Sequence, residues 1–233
     1  MSHLSRHLLA SVLALVAVGS SHAAMLGPIG GSGLSGEYAS LADSPFSALP
    51  FTYFHFEDFE DGVLNVPGVS MSGDGLRLEL NDDSVDGDDG VIDGSGSAGR
   101  SVWAWGRPGI NISFDKAALG QLPTHAGLVW TDGINPIRFE AYDLAGTLIG
   151  AVTGDHADSV HGGQTADDRF YGVIHPAGVA RIVIYSGVVA GDSGIEIDHL
   201  QYALAVPEPT SASLMLAGFA WLGLRLRGSR GCR

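Results

Sequence analysis

Cysteine is almost missing from this sequence. Cys232 is the only one in 233 residues. The body of the chain therefore has no disulfide, and its stability must come from an apolar core or from bound metal. Positive charge is scarce as well, with 12 Lys and Arg against 26 Asp and Glu. A surface of that sign repels nucleic acid and anionic lipid and favours divalent cations. Helical periodicity is nearly absent, and no internal repeat occurs. The sequence also lacks His-Glu-x-x-His, a Gly-x-Ser-x-Gly elbow, a phosphate loop and the Rossmann glycine pattern, so the common hydrolase and nucleotide chemistries have no foothold.

What is present is glycine, 34 residues of it, mostly between short apolar runs. That spacing favours short strands and tight turns over helices. Ten runs read as strands: 51–56, 76–80, 101–105, 110–114, 126–130, 137–142, 147–152, 170–174, 179–185 and 195–202. Leu76-Arg77-Leu78-Glu79-Leu80 alternates cleanly, as a half-buried strand does. Asp143-Leu144-Ala145-Gly146 reads as a hairpin turn, and residues 117–122 as one helical turn. Residues 24–50, rich in Gly, Ser and Pro, read as a loose N-terminal segment with at most an edge strand. The expected architecture is all-β: one antiparallel β-sandwich over 51–205, jelly-roll-like.

Both ends of the chain are greasy. Arg6 and His7 precede the apolar run Leu8 to Val18, and Ser21-His22-Ala23 offers small residues at the two positions a signal peptidase reads. Residues 1–23 are therefore expected to be a secretory signal peptide, cleaved after Ala23. At the other end, Val206-Pro207-Glu208-Pro209 is followed by an apolar stretch to Leu224 and then by Arg225, Arg227, Arg230 and Arg233. The prolines break any arriving secondary structure. The apolar core is short beside the ~20 residues of a membrane helix, so spanning would draw in Thr210 to Ser213 and snorkelling arginines.

This tail, residues 206–233, resembles the PEP-CTERM sorting signal of bacterial surface proteins. The resemblance implies an exosortase-type membrane protease that cuts near the Pro-Glu-Pro motif. It also implies a role in the envelope or matrix of a bacterium making exopolysaccharide. The arginines would act as a membrane stop on the cytoplasmic side, leaving the body outside. Taking both ends away removes Glu208 and five arginines, leaving 25 acids against 7 bases in the body.

Several groups in the body could carry chemistry. Glu57, Asp58 and Glu60 follow the first strong strand, and Asp198 lies in the last. This pairing resembles the structural calcium of sugar-binding jelly rolls, which takes an early acid and one from the closing strand. The implied purpose is to staple the first and last strands together. The Asp-rich loop 82–93 does not fit an EF-hand: with Asp89-Gly90 at loop positions five and six, Val85 and Gly87 fall where oxygen ligands are needed. Glu196-Ile197-Asp198-His199-Leu200-Gln201 resembles the Glu-x-Asp-x-x-Glu strand of laminarinase-like glycoside hydrolases. Here Gln201 stands at the acid/base position, and glutamine cannot cycle a proton. His156 and His161, with Asp155 and Asp158, match no standard zinc spacing.

Trp103, Trp105 and Trp130 are candidates for a sugar platform. Trp103 and Trp105 are two apart on one strand and so share a face: a ligand platform if that face is outside, core if it is inside. The expected function is an exported, sorted, non-catalytic envelope or matrix protein. It would bind polysaccharide or act in adhesion with calcium support, and it would not bind nucleic acid. The alternatives are a secreted glycan-acting hydrolase and a structural coat without a ligand.

Overall fold

A computed structural model describes residues 22–33, 35–80, 84–85, 99–158, 166–189, 193–206, 218–219 and 221. Twelve strands are present among them. The first four are β1 (Ala24–Ile29), β2 (Phe51–Glu57), β3 (Val69–Ser72) and β4 (Arg77–Leu80). Next come β5 (Arg100–Trp105), β6 (Ile110–Phe114), β7 (His125–Asp132) and β8 (Ile137–Tyr142). The last are β9 (Leu148–Gly154), β10 (Arg169–Ile174), β11 (Arg181–Ser186) and β12 (Gly194–Ala205). A single helical turn, α1 (Lys116–Leu119), starts where the Asp115 carboxylate accepts from the Ala117 N–H at 2.7 Å.

The strands form two antiparallel sheets. One runs β1-β10-β7-β12-β5-β4, with β2 also on β12; the other runs β3-β6-β11-β8-β9. Alternation places the side chains. On β6 Ile110, Ile112 and Phe114 are buried, and on β8 Ile137, Phe139 and Ala141, with their polar neighbours on the other face. Ala126, Leu128 and Trp130 of β7 and Ile195 and Ile197 of β12 join the same core, so both sheets feed one apolar cluster. The β8–β9 hairpin closes over the Asp143 turn: its carboxylate accepts from the N–H groups of Ala145 and Thr147, and Gly146 takes φ +78°.

β12 is the spine of the larger sheet. It pairs with β7 along one edge; along the other it pairs first with β5, over Gly194–Ile197, and then with β2, over Leu200–Ala205. At the changeover the register against β7 shifts between Asp198 and Gln201, and His199 adopts φ +47°. This bulge opens a gap between β5 and β2.

The N-terminal segment is more than a loose lead-in. β1 adds to the sheet edge beside β10, and Tyr38 and Phe46 are fully buried. They pack with Val85, Val129 and Phe170 into a second apolar cluster, to which Leu26, Ile29, Phe51, Phe54 and Ile174 also contribute. That cluster lies on the face of the larger sheet turned away from the main core. Two faces covered by apolar groups explain why β7 and β12 are buried almost throughout, without alternation.

Candidate functional site

The gap beside β12 is where the acids gather. Asp198 is fully buried, and its Oδ2 accepts from the Ser84 hydroxyl at 3.0 Å and from the Val85 N–H at 2.9 Å. Its Oδ1 accepts from the His199 N–H at 2.6 Å. Glu60 approaches from the other side: its Oε1 accepts from the Arg100 N–H at 2.6 Å and lies 3.4 Å from the same Ser84 hydroxyl. Asp198 and Glu60 therefore meet at Ser84.

Glu57 and Asp58 do different work. Glu57 ends β2 and is nearly buried; it accepts from Phe59 N–H at 3.2 Å, Asn65 N–H at 3.0 Å and Val66 N–H at 3.4 Å. Burial pushes its carboxyl up, against the pull of those three donors. Asp58 accepts from the Glu60 N–H at 3.2 Å. These two carboxylates shape the loop after β2. Among the described residues no three His, Cys, Asp or Glu side chains gather as a metal ion requires.

The tryptophans divide between the two faces of the larger sheet. Val102 and Ala104 of β5 point into the main core, so Trp103 and Trp105 stand on the outer face. Their rings are 5.0 Å apart at 67°, and Trp105 is 41% exposed. The Arg77 guanidinium lies 4.2 Å over the Trp103 ring. Gly194 makes room for Trp103, because a Cβ there would come 2.2 Å from the indole Nε1. Trp130 does not belong to this platform: it is fully buried in the main core, edge-on to His156 at 4.9 Å. Alternation along β7 carries it inward with Ala126 and Leu128, and across the ladder it faces Ile197.

Register extends the platform into a row. Arg77 of β4 pairs with Trp103 of β5, Trp103 with Glu196 of β12, and Glu196 with Asp132 of β7. Four strands thus bring side by side a guanidinium on an indole and two carboxylates, of which Glu196 is buried. Such a row can stack the apolar face of a sugar ring and hydrogen-bond its hydroxyls.

Gln201 is engaged elsewhere. Its Oε1 accepts from the Ser44 hydroxyl, and its Nε2 donates to the Tyr38 hydroxyl at 3.0 Å. The buried amide thereby fastens the N-terminal segment to β12. His156 shares a hydrogen bond with the Tyr171 hydroxyl at 2.7 Å. Burial, helped by the charge of Arg169, pushes its imidazole down to about 4. His161, the Asp82–Asp93 loop acids, Pro207, Glu208, Pro209 and the tail arginines lie outside the described residues, as do residues 1–21 of the leader. Among the described residues no helix is long and apolar enough to cross a membrane.

Ser84, Ser44 and Tyr38 were not legible as site residues, since their partners on β12 lie more than a hundred residues away along the chain.

No family model matches the chain, and no curated protein matches it. Several solved structures resemble it, three of them as follows. One is the K2 cleaved adhesin domain of Lys-gingipain, with TM-score 0.39 and 12% identity over 65% of this chain and 100% of that one. Another is the K1 cleaved adhesin domain of Lys-gingipain from Porphyromonas gingivalis W83, with TM-score 0.40 and 13% identity over 66% and 99%. The third is the C-terminal family 22 carbohydrate binding module of Clostridium thermocellum Xyn10B, with TM-score 0.32 and 15% identity over 68% and 96%.

Proposed function

We propose that this chain is an exported, non-catalytic polysaccharide-binding or adhesion module. In this reading it is a jelly-roll-like sandwich that binds glycan across the Trp103–Trp105 face and is sorted by a PEP-CTERM-like tail. One observation carries the binding reading: two adjacent indoles stand on the outer face of a sheet, one 41% exposed, beside Arg77 and the Glu196–Asp132 pair. An exposed indole face of that kind suits a stacking ligand. The position of the tail supports sorting. β12 ends at Ala205, Val206 is exposed, and Phe219 and Trp221 lie on the surface. The leader reading agrees with β1 starting at Ala24, the first residue after the expected cut. Calcium, if bound, would sit where Glu60 and Asp198 meet at Ser84, tying the loop after β2 to the closing strand.

Affinity electrophoresis through gels containing neutral polysaccharides tests the reading. The wild type should be retarded by at least one gel. Trp105→Ala should lose most of that retardation without a change in melting temperature. Equal retardation of wild type and variant would remove the platform. Glycan shortening that stops with Glu196→Gln would replace binding by hydrolysis, for which the opposed Glu196 and Asp132 supply two carboxylates.

A further inference from the structure

The outer face of the five-stranded sheet gathers arginines and tyrosines around one carboxylate. Its centre is Glu140, on β8. Glu140 Oε1 accepts from Arg138 Nε at 2.7 Å and from the Tyr185 hydroxyl at 3.1 Å, and Oε2 accepts from the Tyr142 hydroxyl at 2.5 Å. The carboxylate thus fixes both phenol rings and neutralises Arg138. The rings in turn carry cations: the Arg181 guanidinium lies 3.9 Å over Tyr142, and Arg107 lies 4.3 Å over Tyr185.

Three of the seven bases in the body are on this one face. Along β3, β6, β11, β8 and β9 the outward positions carry a single carboxylate, Glu140, among the described residues. In a body with 25 acids, Arg107 and Arg181 form no ion pair with any described carboxylate. Each guanidinium has five donors. Two of Arg138's are used, on Glu140 and Thr153, and one of Arg181's, on Asn111 Oδ1 at 3.0 Å. The remaining forks match a carboxylate in geometry. From Arg181 to Tyr185, along β11, the face runs about 13 Å, at ~3.3 Å per residue.

We propose that this face binds a carboxylated polysaccharide, with Arg107 and Arg181 taking uronate carboxylates. The site lies on the opposite sheet from the tryptophans and does not depend on them. The acidity of the whole molecule does not forbid it: at physiological salt the Debye length is about 8 Å, so the charges on the face itself govern a bound chain.

Affinity electrophoresis of the full chain at 0.15 M salt, through gels containing alginate or neutral pullulan, tests it. The wild type should be retarded by alginate and not, at this face, by pullulan. The double variant Arg107→Gln, Arg181→Gln should lose retardation by about tenfold or more, with an unchanged melting temperature. Trp105→Ala should keep full retardation by alginate, which separates this site from the tryptophan platform. Wild-type migration unaffected by alginate, or a double variant retarded as strongly as the wild type, overturns the proposal. So does a wild type that sediments as an oligomer dissolved by the double variant, because the face would then belong to a second copy.

Discussion

Asp198 illustrates how much one buried carboxylate can hold. It has no exposed surface and takes the Ser84 hydroxyl and the Val85 and His199 N–H groups, joining a loop to the closing strand across more than a hundred residues of chain. Asp198→Ala leaves those donors buried and unmatched, at ~1–3 kcal/mol each. Urea unfolding should show a loss of about 3 kcal/mol or more, larger than for Asp58→Ala, whose one bond is local. If calcium also holds this junction, a chelator should lower the melting temperature of the wild type and leave Asp198→Asn unmoved. An unchanged wild type would remove the metal. The four acids were readable as candidates because three lie at or just after the end of the first strong strand and one lies in the last. Which of them meet was not readable, because that depends on where Ser84 lies. The tryptophans were half legible too. Their spacing put Trp103 and Trp105 on one face, but Val102 and Ala104 are also apolar, so alternation alone could not say which pair turns inward. Packing against the second sheet puts the smaller pair in the core.

Strands announced themselves where alternation was long. Residues 137–142 read as a strand and are one, β8, and the hairpin turn at Asp143 follows from its carboxylate and from Gly146. β1 and β3 did not stand out. β3 has only four residues, Val69-Ser70-Met71-Ser72, and β1 contains Gly27-Pro28, which weakens any strand signal. Tyr38 and Phe46 stand alone among glycines and serines, so composition read their segment as loose. In three dimensions the larger sheet has an apolar outer face, and those two rings cover it, Phe46 lying edge-on to Phe170 at 5.3 Å. Phe46→Ala should therefore cost about 3–5 kcal/mol, the range for a large buried aromatic. A cost near zero in urea unfolding would restore the loose reading.

Across the whole molecule, the histidines decide how stability responds to mild acid. Burial pushes His156 down to about 4, and burial also lowers His55 and His125. Each takes up its proton more readily in the unfolded chain, whose imidazoles titrate near 6.5. Their contribution is complete above pH ~6.5 and is lost as the pH falls from there toward about 4 for His156. Glu140 acts lower down. Partial burial raises its carboxyl, but the Tyr142, Arg138 and Tyr185 donors outweigh that and hold it below the usual carboxylate range, so its share goes only in stronger acid. Thermal melts between pH 7.5 and 5 should fall steadily, and His156→Gln should flatten the slope. A flat wild-type profile in that window would contradict the burial of these rings.

The place of β12 has a mechanical meaning. It sits in mid-sheet, bonded to β7 on one side and to β5 and β2 end to end on the other, and it ends at Ala205. A tug on that end, with β7 or β5 held back, loads many hydrogen bonds at once along their common strand. An edge strand such as β1 would instead let its bonds unzip in succession. The strand that precedes residues 207–233 in the chain is thus one built to resist shear.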